Sequence, residues 1–258
     1  MSTLTLDISA QGIARVTLNR PDRHNAFDEA MIADLSQTFA VLCDNPAVRV
    51  VVLSGAGESF CAGGDLNWMK RAAERSEAEN HADALKLAQM LHTLNTCPKP
   101  LIGLIHGTCF GGGVGLAACC DIVVAAPDAR FGLTEVRLGL TPATISPFVV
   151  AKIGVSAARR YMLTGERFDA DEARRIGLIH KINPALDAAA KPLIEAFLQS
   201  APGAVADAKA LIRDVSGREV DAAVLDLTAS RIAARRASDE GKEGIASFLE
   251  KRKSGWAG

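Results

Sequence analysis

The residues of this chain that carry chemistry gather in two glycine-rich stretches and around one glutamate. SFCAGGDL runs from Ser59 to Leu66, and HGTCFGGGVGLAACCDI from His106 to Ile122. Each follows an apolar, β-branched run, Val48 to Leu53 and Leu101 to Ile105, of the kind that makes a buried strand. Glycine lets backbone come close to a ligand because no Cβ stands in the way. Two such turns at the ends of two strands can aim two backbone N–H groups at one oxygen, which is how an oxyanion hole stabilises charge developing on a carbonyl. Phosphate-cradling alternatives fail on spacing. A Walker-type loop needs Lys and then Ser or Thr after its last glycine, where Gly113 is followed by Val114-Gly115-Leu116, and a GxGxxG fingerprint needs glycine where Leu116 stands.

Glu135, in Phe131-Gly132-Leu133-Thr134-Glu135-Val136-Arg137, sits in a largely apolar neighbourhood. Partial desolvation there raises a carboxyl pKa toward a value useful for proton transfer near neutral pH. The competing reading is a loop carboxylate paired with Arg137. Cys61 and Cys109 flank the glycine turns but have no local base to make them nucleophiles. His106 reads as a turn histidine, His24 and His180 as loop and strand-surface residues, Asp121 as a partner for backbone groups, and Asp65 as the residue that holds its turn.

Composition narrows the function classes. The 258 residues carry a net charge of −1 with acidic and basic residues interspersed, so no electrostatic footprint for nucleic acid is present. No apolar run approaches a membrane span, and no leader pattern opens the chain, so a cytoplasmic protein without membrane contact is expected. The six cysteines lack C-x-x-C spacing, which predicts free thiols and no metal site.

Leu4–Ile8 and Ile13–Leu18 alternate apolar and polar residues around Gln11-Gly12 and predict a hairpin. Asp28 caps a predicted helix through Leu42, and a second helix spans Glu77 to Asn95. A strand follows at Asp121 to Ala126, then helices at Ile145–Ile153, Ser156–Leu163 and Ala170–Ile176, and a strand at Leu178–Ile182. Everything beyond Asn183 is predicted helical. The fold class is therefore α/β, with a core over 1–200 built from repeating strand-strand-helix turns and a helical region over 201–258.

Taken in order, Asn19-Arg20-Pro21 with Asn25-Ala26, the two glycine stretches, ARFGLTEVRLGL at Ala129 to Leu140 and LTGERFDADEARRIGLIHKI at Leu163 to Ile182 resemble the crotonase superfamily of enoyl-CoA hydratases and isomerases. The resemblance covers nearly the whole chain. It implies a spiral of ββα units, a C-terminal helical region that forms homotrimers or homohexamers, an acyl-CoA thioester substrate, and no cofactor, coenzyme A being part of the substrate. By position it implies N–H donors at Gly64 and Gly112 and the acid/base at Glu135. It also implies coenzyme A walls at Arg23, Asn25 and Ala26, and at Ala62, Gly63, Asp65 and Leu66, with Lys251 and Arg252 in the tail. Arg23 facing phosphates and Arg23 as a surface arginine stay open, as do coenzyme A contact and a solvated face for Lys251.

Hydratases of this superfamily use two glutamates; the second matches Glu135, but the first falls at Gly115. One carboxylate can shuttle a proton in an isomerase, and it can pass an attacking water's own proton onward in a hydratase. Gly132 to Gly154, with Thr144-Ile145-Ser146-Pro147 in place of a glycine-rich turn, resembles the bacterial methylglutaconyl-CoA hydratase type. Gly115 is accordingly expected to leave space beside a branched or carboxylated acyl chain, and Arg137 is a conceivable partner for a substrate carboxylate. The expected activity is hydration of a branched or carboxylated 2-enoyl-CoA. An enoyl-CoA isomerase and a non-catalytic acyl-CoA- or RNA-binding relative are the alternatives.

Overall fold

The computed structural model describes residues 2–257. Its main sheet joins β1 (Leu4–Ile8), β2 (Ile13–Leu18), β3 (Val50–Gly55), β4 (Leu101–Ile105), β6 (Ile122–Ala125) and β9 (Lys181–Ile182) in the order β1-β2-β3-β4-β6-β9. Only β1–β2 is antiparallel. The remaining pairs are parallel. A second sheet orders β5 (Thr108–Phe110), β7 (Arg130–Gly132) and β8 (Arg167–Asp169) as β5-β7-β8.

Helices follow the strands: α1 (Glu29–Asp44), α2 (Leu66–Glu74), α3 (Glu77–Thr96), α4 (Gly112–Cys119), α5 (Ser146–Thr164), α6 (Ala170–Arg175) and α7 (Leu186–Gln199). The chain then runs through α8 (Pro202–Val215), α9 (Ala222–Ala237) and α10 (Asp239–Leu249). This is the α/β architecture with a helical C-terminal region that the sequence predicts.

Parallel strands covered on both faces are apolar throughout, and β3 and β4 show why. Val51, Leu53, Leu101 and Ile105 point into the large core with α1, α3 and α4. Their neighbours Val50, Val52, Ile102 and Leu104 point the other way, onto Ala189, Ala190 and Ile194 of α7. The C-terminal helices sit outside this arrangement. No residue of α8 is buried, and the last two helices bury only Val224 and Ser247. They are tied to the core by polar contacts such as Lys209 Nζ to Asp121 Oδ2 at 2.7 Å. Asp121 also accepts from Leu101 N at 2.7 Å, the backbone role expected of it.

The sequence reading of the elements is met in part. The strand expected at Leu178–Ile182 is only Lys181–Ile182, because Leu178 and Ile179 are buried anchors that leave the ladder. The two helices expected at Ile145–Ile153 and Ser156–Leu163 are both present within α5, which breaks between them at Gly154, whose φ of 74° and ψ of 163° are not helical. Helix α2 and the three-residue strands of the second sheet are additional.

Asn25 departs from the sequence reading as well. Expected at a coenzyme A wall, it is instead a fully buried brace: its amide donates to Ala56 O (2.9 Å) and Ser59 O (2.7 Å), and its Oδ1 accepts from Arg20 N (2.8 Å). All its side-chain capacity in this direction is spent on backbone, so it shapes the loop rather than touching ligand. Its φ of 54° is one that asparagine tolerates better than most residues. Asn25→Ala is expected to cost about 1–3 kcal/mol, since it strands a buried Ser59 carbonyl and removes two part-buried backbone bonds. Urea unfolding should show a lower midpoint with an unchanged slope.

Candidate active site

The two glycine stretches lie side by side. Phe60 N donates to His106 O at 3.0 Å, Cys61 N to Thr108 O at 3.0 Å, and Phe110 N to Cys61 O at 2.9 Å, so Cys61 and Cys109 pair like neighbouring parallel strands. The second turn thus leaves β5 and not β4, as the sequence had suggested. Glycine is required where the stretches touch. A Cβ on Gly113 would fall 2.6 Å from Cys61 O, and Gly63 adopts a φ of 96°.

Phe27 couples the two turns. Its N donates to Gly63 O at 2.7 Å and its O accepts from Asp65 N at 2.8 Å, which brackets Gly64. Its ring lies where a side chain on Gly112 would be, 2.5 Å from the position of a Cβ there. Gly112 opens α4 after Gly111, whose φ of 49° and ψ of −115° turn the chain sharply into the helix. The first N–H groups of a helix have no partner within it. Among the described residues neither the Gly112 nor the Gly64 N–H donates to a backbone carbonyl. Two free N–H groups, on turns locked together, are what an oxyanion hole requires.

Glu135 faces the same place. One oxygen, Oε1, lies 3.0 Å from where a Cβ on Gly111 would sit, beside the donor Gly112. The other, Oε2, is buried and has no hydrogen-bond partner among the described residues. Burial pushes this carboxyl above its ordinary range, with only a backbone hydrogen bond working against it. The pairing with Arg137 does not form: Arg137 lays its side chain along Gly165, its Nε 3.0 Å from a Cβ position there.

At Gly115 the structure corrects the sequence reading. No vacancy lies beside it, because Ile145 occupies that space, with its Cγ2 2.5 Å from where a Gly115 Cβ would be and Leu91 behind at 3.7 Å. Gly115 is buried in α4 and packs against Ile145. The place of a second carboxylate is therefore apolar.

Most other candidates shape the site without facing it. Asp65 caps α2 through Asn67 N (2.8 Å) and Trp68 N (3.2 Å) and pairs with Arg20 at 3.1 Å. Burial opposes its ionisation, but these partners outweigh it and hold the carboxyl low. Ala62 N donates to His24 O at 2.9 Å, and Ala26 O accepts from Arg20 Nη1 at 2.6 Å. Arg23 is exposed beside Asp22, and Leu66 is exposed at the start of α2. Lys251 is exposed beyond α10, and no hydrogen bond or ion pair among the described residues joins it to the glycine cluster; Arg252 is engaged by Glu243 and Glu250.

His106 bonds Gly57 O and His24 bonds Ser59, both turn contacts, while His180 accepts from Val123 N. The Cys61 and Cys109 thiols are buried, which pushes Cys61 up to about 12 and Cys109 well above its ordinary value, so neither is a nucleophile. Among the described residues no group of three potential metal ligands exists, and no helix is long and apolar enough to cross a membrane. Phe27 is a site residue that sequence reasoning missed, and Ile145, singled out only as part of a turn, packs on Gly115. A lone apolar residue beside a loop gives no signal of which backbone it will cover.

Comparisons with known proteins agree with this geometry. A family model described as enoyl-CoA hydratase/isomerase matches residues 9–258. A putative enoyl-CoA hydratase of Thermus thermophilus is 37% identical over 243 residues, covering 93% of this chain and 95% of its own. A mevalonyl-coenzyme A hydratase of Aspergillus fumigatus is 33% identical, covering 95% and 91%. The crystal structure of an enoyl-CoA hydratase from Shewanella pealeana superposes with a TM-score of 0.97 at 44% identity, covering 98% of this chain and 96% of that one.

The unpartnered carboxyl predicts a pH-dependent stability. Folded Glu135 keeps its proton at pH values where the unfolded chain releases it, so stability falls as pH rises from the ordinary carboxylate range through the raised value. Glu135→Gln removes that cost. Calorimetry at pH 8 should find the variant melting on the order of 2–4 °C above the parent, with the gain largely gone at pH 4.

Proposed function

The chain belongs to the enoyl-CoA hydratase/isomerase family, and from that premise we propose how its single carboxylate carries hydration. The enzyme is a lyase of the enoyl-CoA hydratase kind acting on an acyl-CoA thioester. The thioester oxygen accepts the Gly64 and Gly112 N–H groups. Glu135, ionised, takes a proton from a water as its oxygen bonds to the β-carbon, and the double-bond electrons move to the thioester as an enolate. The same carboxyl then delivers its proton to the α-carbon and regains its charge. One backbone donor of this type is worth about 3–4 kcal/mol in transition-state stabilisation. The observation that carries the reading is Glu135 itself, a half-buried carboxyl whose Oε1 lies beside Gly111 and whose Oε2 is buried with no hydrogen-bond partner among the described residues.

For the acyl group we favour a branched 2-enoyl-CoA, of the methylglutaconyl type but without reliance on a distal carboxylate. Ile145 and Leu91 make the surroundings of Gly115 apolar, and Arg137 is laid along Gly165. The Aspergillus relative is named for a mevalonyl ester, whose carbon chain is branched. No cofactor enters this scheme, since coenzyme A arrives with the substrate. Coenzyme A contacts at Arg23, Ala62, Gly63, Leu66 and Lys251, and a cytoplasmic location, belong to the same proposal.

The C-terminal helices expose Ile212, Leu225, Ile245, Phe248 and Leu249, with Phe248 82% exposed. Such apolar surface favours assembly into a homotrimer or homohexamer. Light scattering of the pure protein should give three or six chain masses; a monomer at micromolar concentration would contradict it.

The activity is tested by incubating the protein with straight and branched 2-enoyl-CoA esters and weighing the products. Hydration adds one water, whereas isomerisation leaves the mass unchanged and would return the single-glutamate isomerase to favour. Glu135→Gln should lower kcat by at least about a hundredfold while ligand affinity is retained. The parent's kcat/KM should rise with pH along a limb above the ordinary carboxylate range, as Glu135 ionises, and the residual activity of the variant should lack that limb.

A further inference from the structure

Helix α2 begins directly after the donor Gly64 and buries none of its nine residues. Its first turn nevertheless reaches back over that donor. A methyl group built on Gly64 would lie 3.6 Å from Trp68 Cε3 and 3.6 Å from Met69 Cγ and Sδ. The indole has its polar edge turned elsewhere: Trp68 Nε1 donates to Asp83 Oδ2 at 2.7 Å. Asp83, on α3, is 9% exposed, and the same oxygen accepts from Arg75 Nη1 at 3.1 Å. Arg75 continues to Glu29 of α1 at 3.0 Å. A helix with no fully buried residue is thus held in place by Trp68 packed against the main core and by a chain of charged groups.

We infer that Trp68 is a specificity-determining wall of the acyl pocket and that Asp83 is the positioning residue that fixes it there. This rests on the hydratase reading. With its N–H committed to Asp83, Trp68 offers the donor turn only hydrocarbon, and Met69 adds a thioether. Pantetheine carries amides that need hydrogen-bond partners, whereas an acyl chain needs apolar contact. The surface therefore suits the acyl group. Asp83 sets the ring plane and, through Arg75, ties that plane to α1.

Two measurements test this. The first uses fluorescence in a Trp256→Phe background, where Trp68 is the one remaining tryptophan of two. Butyryl-CoA, which cannot be hydrated, should shift or quench its emission while coenzyme A alone should not. An equal response to both ligands, or no response to either, overturns the assignment. The second compares kcat/KM for 2-octenoyl-CoA with that for crotonyl-CoA. Trp68→Ala should raise this ratio by about tenfold or more, the scale that a few methylenes are worth in an apolar pocket.

Asp83→Ala should move the ratio the same way through KM more than kcat, and Asp83→Asn, which keeps an acceptor for the indole, should restore it toward the parent. A ratio that stays constant in all three variants overturns the inference while leaving the hydratase reading intact. A parent that hydrates neither these esters nor a branched 2-enoyl-CoA, yet gives the acyl-dependent fluorescence response, overturns the hydratase reading and keeps the wall.

Discussion

Two backbone N–H groups can polarise one oxygen only while the turns that carry them are held at fixed separation, and nearly every local feature of this protein serves that requirement. The Cys61–Cys109 pairing locks the turns edge to edge, with Gly113 allowing the approach that any Cβ would block. Phe27 then does with one residue what two elements would otherwise have to do. Its backbone brackets Gly64, and its ring closes the space beside Gly112. Because the donors are backbone groups, their aim depends on the loops around them. Those loops are pinned by Arg20, which holds Asp28, Asp65 and Ala26 O, and by Asn25.

The second constraint is electrostatic. A carboxyl with a buried, unpartnered oxygen is a cost that folding would normally avoid. Here the cost and the usefulness have one origin. Removal from water raises the affinity of Glu135 for a proton, and the lack of a partner leaves an oxygen available to a substrate or a water. With Ile145 at the place of a second carboxylate, no neighbouring negative charge contributes to that shift, and one group must both accept and return the proton.

The helices divide the remaining work unequally. Helices α1, α3, α4 and α5 bury apolar faces and make the rigid body of the site. Helix α2 fully buries none, and its place over the donor turn depends on Trp68, half-buried against the core, and on Asp83, Arg75 and Glu29. Interactions among partly exposed charges are weaker and more salt-dependent than apolar burial. The wall over the acyl site is accordingly the part of the pocket most open to change by substitution, while the donor turns are the least.

Much of this was legible in the chain by itself. Alternation marked β1 and β2, apolar β-branched runs marked β3 and β4, and Asp28 announced α1, because strand and helix periods and caps are local properties. The glycine stretches and Glu135 were likewise visible, since glycine spacing and an acidic residue in apolar company are written in consecutive residues. What the tertiary structure alone decided are the relations between distant segments. The three-residue strands β5, β7 and β8 exist only through one another, as no run of three residues holds a strand unaided. Asn25 looked like a ligand contact and became a brace, because the carbonyls it satisfies lie about thirty residues away. Gly115 looked like an opening and became a packing surface, because the side chain that fills it comes from α5's cap, thirty positions along. Sequence carries the local conformational preferences of a residue; which atoms fill the space next to it is settled only when the core closes.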